Sequence, residues 1–258
     1  MSSIGAKCRI VGTDDIRIIE LGLHPVVQSF LKELRAKIPV NYYDQRKCPY
    51  PDYTNTPAWF QPSPSRSQAD EYRIWLDVQR LGGDLADTIA HEVGHALIHH
   101  KGVRGLKYVD NQPNAQDIAN RVGDILEDPW VERILREQGV DRTRHDELMV
   151  HGFVLNLKAL RSSFAYEPRR MEAHLCHRYV VTKLELGTGR FQSDRFSGLG
   201  FEQIWAALAQ SDVTRARASE IHDYLEKNPP TDRLTYKAAA TQVISILELD
   251  STVLVPSN

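Results

Sequence analysis

Between residues 72 and 97 the hydrophobic pattern changes its period. Tyr72, Ile74, Leu76 and Val78 alternate with Arg73, Trp75 and Asp77, the two-residue repeat of a half-buried strand. Gly82-Gly83 then turns the chain, and Leu85, Ile89, Val93, Ala96 and Leu97 recur at three- and four-residue spacing. That spacing predicts a helix over roughly 85–100, with Asp84 placed to cap it and Asp87 in its first turn.

Upstream, residues 8–19 read as short apolar pieces broken by Gly12 and Asp14-Asp15, a strand or hairpin. Val27, Phe30, Leu31, Leu34 and Ile38 predict a helix that starts at Pro25 and stops at Pro39, followed by a strand over Val40–Asp44. Residues 48–68 hold five prolines and read as a loop without regular structure, a surface excursion pinned by Tyr50, Tyr53, Trp59 and Phe60 or a flap beside a cleft. Downstream, 101–114 reads as a loop and Ala115–Gln138 as a helix, which Pro129 should kink or split with Asp128 capping the second part. From 145 to about 248 the repeat is helical, interrupted by the glycine-rich stretch 187–200 and by Asn228-Pro-Pro-Thr231; 251–256 is a short strand or a frayed tail. The pattern therefore predicts an α+β fold, a small sheet packed on the 85–100 helix and then a mostly helical C-terminal half. We expect a domain over 1–140, with the loop at 48–68, and a helical region over 141–258 packed on it.

Composition narrows the class. With 258 residues and 41% hydrophobic content the chain can bury a substantial core. A net charge of −2 with interspersed charges gives no reason to expect nucleic acid or an anionic membrane as partner. Three scattered cysteines, Cys8, Cys48 and Cys176, argue against a disulfide framework and for a reducing compartment. No apolar run approaches the ~20 residues needed to span a bilayer, and Met1–Arg9 lacks the apolar stretch of a signal peptide. The expectation is a soluble, cytoplasmic protein, with non-classical export left open.

The candidate chemistry lies inside the predicted helix, at His91-Glu92-Val93-Gly94-His95. Residues four apart on a helix share a face, so His91 and His95 can hold one metal ion while Glu92, offset around the helix, reaches a water on it. This is the HExxH arrangement of zinc-dependent hydrolysis. A protein-held zinc needs a third ligand. A third histidine six residues after the second is excluded, because position 101 is Lys and position 98 is Ile, not Gly. His99 and His100 read as packing or capping residues.

An acid from the next helix remains, and 115–138 offers Asp117, Asp124, Glu127, Asp128 and Glu132. At about 100° per residue, Ile118, Ala119, Val122, Leu126, Trp130 and Ile134 form one apolar stripe. Glu127 lies at its edge, one turn after Gly123, which would let two helices approach closely; an acid there needs a partner, and a metal is a good one.

His91-Glu92-Val93-Gly94-His95 followed by Leu126-Glu127-Asp128-Pro129-Trp130-Val131-Glu132 resembles the gluzincin branch of zinc metallopeptidases, and is similar to minimal bacterial and phage gluzincin-like domains. The likeness covers about 70–135. It implies a zincin-like sheet, Zn2+ on His91, His95 and Glu127, and Glu92 as general base. Two departures stand out: Pro129 falls where such helices continue, and position 131 is Val where thermolysin-like enzymes carry the Asp that orients a zinc-binding histidine. Asp87, Asp124 or Asp128 would have to take that orienting role.

These readings converge on a zinc metallopeptidase acting on a peptide or protein substrate. In zincins the strand before the metal helix commonly pairs with an extended peptide, so Arg73, Trp75 or Asp77 would border the cleft. For oxyanion stabilisation, Tyr108, His145, His151, Tyr166, His174, His177 and Tyr179 are all candidates. The alternative is a non-catalytic or regulatory zinc-binding protein that uses the same fold as an interaction surface. Substrate and oligomeric state do not follow from the sequence.

Overall fold

The computed structural model describes residues 13–46, 58–62, 71–109, 112–147, 167–186 and 211–256. The fold is α+β. It divides into two units, Met1–Lys101 with Val131–His145, and Gly102–Trp130 with Asp146–Asn258. One long helix contributes residues to both units.

The first unit opens with α1 (Thr13–Leu21) and α2 (Pro25–Arg35). Residues 13–19 are helical where a strand or hairpin is predicted, and Ile18 and Leu21 stay exposed on α1. α2 buries Val27, Leu31 and Leu34, and the His24 ring accepts from the Val26 backbone N–H at its start. Then come β1 (Val40–Asp44), β2 (Ala58–Pro62) and β3 (Tyr72–Leu76). β2 lies within the stretch read as irregular: Pro57 precedes it and Pro62 ends it, so its interior positions Trp59, Phe60 and Gln61 all keep their backbone donors. The rest of 48–68 lies outside the described residues.

The strand order is β1-β3-β2, with β1 parallel and β2 antiparallel to β3. β3 is therefore central and buried on both faces, not half-buried. On one face Trp59 stacks on Trp75 at 5.3 Å between ring centroids, and Tyr43 leans on Trp75 at 4.9 Å. The register sets Ile74, Tyr42 and Phe60 on the opposite face, where Phe60 meets the His99 ring of α4. α3 (Val78–Leu81) and a 3-10 turn (Gly82–Asp84) lead into α4 (Leu85–His100). Asp84 makes no side-chain cap on α4 and instead pairs with Arg144 at 2.9 Å. α4 packs on β2, β3 and α2.

α5 (Ala115–Glu137) runs through Pro129 as one helix, not two. Proline removes one N–H and one i→i−4 bond; in 23 residues the remaining ladder carries the element. Asp128, expected as a cap, faces His177 at 3.3 Å.

The second unit holds β4 (Lys107–Tyr108), residues 115–130 of α5, α6 (Pro168–Leu186), α7 (Asp212–Lys227), α8 (Arg233–Ile246) and β5 (Val253–Leu254). β5 pairs antiparallel with β4, so the C-terminal stretch is a strand. α6 and α7 pack on one another, burying Cys176, Val180, Ala218, Ile221 and Leu225. Asp232 and Thr235 form a capping box on α8. Of the helical repeat expected from 145 onward, residues 148–166 and 201–210 lie outside the described residues, as does the glycine-rich stretch 187–200. Among the described residues no helix is long and apolar enough to cross a membrane.

Candidate metal centre

From Ile89 to Ile98, α4 is buried all round except at His91. His91-Glu92-…-His95 is thus a polar cluster inside an apolar helix, with Glu92 6% and His95 9% exposed. Buried polar groups of this kind need partners. The four-residue spacing brings His91 Nε2 and His95 Nε2 to 3.1 Å. Two zinc–nitrogen bonds of ~2.0–2.1 Å at a near-tetrahedral angle place their nitrogens about 3.3 Å apart. The pair therefore fits a single small metal ion with little adjustment.

The other ring nitrogen of His91 is also engaged: Nδ1 lies 2.8 Å from Glu132 Oε1. Glu132 is 1% exposed and is gripped by Arg142, Nε to Oε2 at 2.8 Å and Nη2 to Oε1 at 2.7 Å. Burial alone would raise the Glu132 carboxyl pKa; the charges and hydrogen bonds of His145, His91 and Arg142 outweigh it and hold the group well below the usual carboxylate range. An ionised Glu132 accepts from Nδ1–H, which leaves the Nε2 lone pair of His91 available to a metal.

His91, Glu132 and His145 are close enough to form an alternative metal-binding group. The 2.8 Å contact from His91 to Glu132, shorter than the separation of two ligands on one ion, and the bidentate arginine mark Glu132 as a hydrogen-bond acceptor here and not a ligand. The carboxylate that holds the His91 ring is thus Glu132. Asp87 does not take the His91 ring; it accepts from Arg142 Nη1 at 3.3 Å and enters the network one step further out. Asp124 pairs with Arg121 at 2.7 Å and Asp128 with His177, both within the second unit.

A close helix approach exists, but Gly123 does not make it, since a Cβ there would meet only Glu127 Oε1 at 3.9 Å. Gly94, inside the motif, carries it: a Cβ would come within 2.4 Å of Val131 Cγ1. Val131, standing where an aspartate would orient a ligand, fills the space over Gly94, and its neighbour Glu132 supplies the carboxylate. Gly94→Ala gains ~1 kcal/mol of helix propensity, but Val131 is fully buried and β-branched and cannot turn away cheaply. The net expectation is a loss of about 1–2 kcal/mol in urea unfolding, partly recovered by adding Val131→Ala. A Gly94→Ala protein as stable as wild type would contradict the contact.

Glu127 belongs to the second unit, is 9% exposed and accepts from Tyr236 Oη at 3.0 Å. Burial and the Glu127 charge push the Tyr236 phenol well up. Arg73, Trp75 and Asp77 serve the sheet and its flanks. Arg73 pairs with Glu71, Trp75 donates to Gln61 from inside the aromatic stack, and Asp77 pairs with Arg46. With β1 and β2 on either side, β3 has no free backbone edge for a peptide. Of the proposed oxyanion stabilisers, His145 alone falls in the first unit, its ring stacked 5.5 Å from that of His91 and its Nε2 3.4 Å from Glu132. Tyr108, His174, His177 and Tyr179 lie in the second unit. There His174 meets Asp117 at 2.7 Å, and burial pushes His177 down to about 3 against the pull of Asp128. His151 and Tyr166 lie outside the described residues.

The sequence pattern singles out neither Glu132 nor Arg142 for the site. Glu132 stood among the acids of α5, but no spacing singled it out, and Arg142 lies beyond the helix where no periodicity applies. No protein-family model, curated protein or solved structure matches the chain.

Proposed function

We propose that the chain is a zinc-dependent hydrolase, most simply a metallopeptidase. The observation that carries this reading is the pair of Nε2 atoms 3.1 Å apart on α4, with the opposite nitrogen of His91 held by a buried, arginine-bound carboxylate. An ordinary packed histidine pair has no need of that arrangement. His91 and His95 would hold the ion, with Glu127, the acid expected from the sequence, as the third protein ligand. Zinc, when bound, would polarise a substrate carbonyl and lower the pKa of water toward 7. Glu92, next to His91 on the helix, would take the proton from the attacking water and hand it to the leaving amine. Glu132 would keep the His91 proton on Nδ1 throughout. Among the described residues the sheet has two outer strands, β1 and β2; β2 packs on α4, and an extended substrate would pair along its outer edge. That edge replaces β3 in the reading.

The test is elemental analysis of the purified chain. One zinc per chain is expected in wild type, with loss of stoichiometric metal in His91→Ala and Glu127→Ala. Wild-type protein without stoichiometric metal after zinc loading would overturn the reading, and full occupancy in Glu127→Ala would remove Glu127 from the ligand set.

A further inference from the structure

We infer that Arg142 is a positioning residue for the metal ligand His91, acting through Glu132; this rests on His91 and His95 being ligands. Arg142 is completely buried, and its guanidinium uses all three nitrogens. Nε and Nη2 take the two oxygens of Glu132 in a fork. Nη1 reaches back to α4, donating to the Asp87 backbone carbonyl at 2.9 Å and to its carboxylate at 3.3 Å. Asp87 lies one turn before His91 on the same helix. The guanidinium therefore joins the backbone that carries the ligand to the carboxylate that orients it.

The geometry has a consequence for one atom. Oε1 of Glu132 receives both Arg142 Nη2 and His91 Nδ1. The planar fork fixes the rotation of the carboxylate about its own axis, and so fixes the direction in which Oε1 meets the imidazole. A carboxylate held at one point could swing, and the ring could then turn over and present a carbon where Nε2 belongs. Arg142 removes that freedom. Charge neutralisation alone would not, since a lysine supplies the charge without the fork.

The experiment compares wild type, Arg142→Lys, Glu132→Gln and the double variant, with zinc affinity read by competition against a chromophoric chelator. Arg142→Lys is expected to weaken zinc binding by about 10–100-fold, Glu132→Gln by a similar factor, and the double variant by no more than the worse single change. In nitrogen-15 spectra of the metal-free protein, wild-type His91 should carry its proton on Nδ1, and Arg142→Lys should lose that uniform state. Wild-type affinity in Arg142→Lys would overturn the proposal, as would effects that multiply in the double variant. If Arg142→Lys does not fold, the wild-type spectrum still decides: an Nε2-protonated His91 overturns it. A wild type that binds no zinc would overturn the metal reading itself, a different outcome from zinc bound equally well by both proteins.

Discussion

Glu92→Gln is expected to keep one zinc per chain and to lower peptide hydrolysis by roughly 10²–10⁴-fold, the usual contribution of a positioned general base. The substitution is nearly isosteric. Glu92 is 6% exposed on a helix that is apolar on most sides, so a side chain of the same shape preserves the packing while losing the ability to accept a proton. His91 and His95 are untouched, and their Nε2 atoms still converge. The measurement is cleavage of a quenched-fluorescent peptide library by wild type and variant at equal zinc content. A variant that cleaves as fast as wild type would remove Glu92 from the chemistry. If wild type cleaves nothing while a partner protein co-purifies in fixed ratio, the non-catalytic reading holds instead, with the metal helix serving an interaction surface.

What the sequence disclosed follows from where its periodicities are strict. The α4 helix and β3 are legible because their repeats last several turns or a whole strand, and the shared face of His91 and His95 follows once the helix is fixed. β2 is hidden because Pro57 precedes it and Pro62 ends it, and prolines at both ends mask the short strand. The surroundings of the motif were less accessible still. Gly123 was the natural candidate for a close helix contact, being on α5, yet the contact is made by the glycine of α4. Helical periodicity gives the face a residue occupies, not the height at which two helices cross. Only that height decides whether Val131 meets Gly94 and whether Glu132, the next residue, then reaches Nδ1 of His91. Arg142 comes from a non-periodic segment and is buried by contacts distant in sequence, at Asp87 and Glu132.

Glu132→Ala is expected to be the most destabilising single change at this site, at about 3–5 kcal/mol, because it leaves a buried guanidinium without its main partner. Arg142 is 0% exposed and would keep only its contacts to Asp87. Against a typical folding stability of ~5–15 kcal/mol, that loss should appear in urea unfolding of the metal-free protein as a large drop in midpoint. The paired replacement Glu132→Leu with Arg142→Met removes both charges at similar volume and should recover most of the stability, but not the zinc affinity, since His91 would then lack its acceptor. The pH dependence has a definite sign. The folded Glu132 pKa lies below its unfolded value of 4.5, so its contribution is complete above that value. It is lost as pH falls from about 5 toward the folded pKa, where the unfolded chain binds the proton more readily. Wild type should therefore lose stability more steeply than the Glu132→Leu, Arg142→Met protein on acidification below about pH 5. Parallel acid-unfolding curves, or a Glu132→Ala protein within about 1 kcal/mol of wild type, smaller than a typical buried-pair loss, would mean that the Arg142–Glu132–His91 chain is not the closed, desolvated network its distances describe.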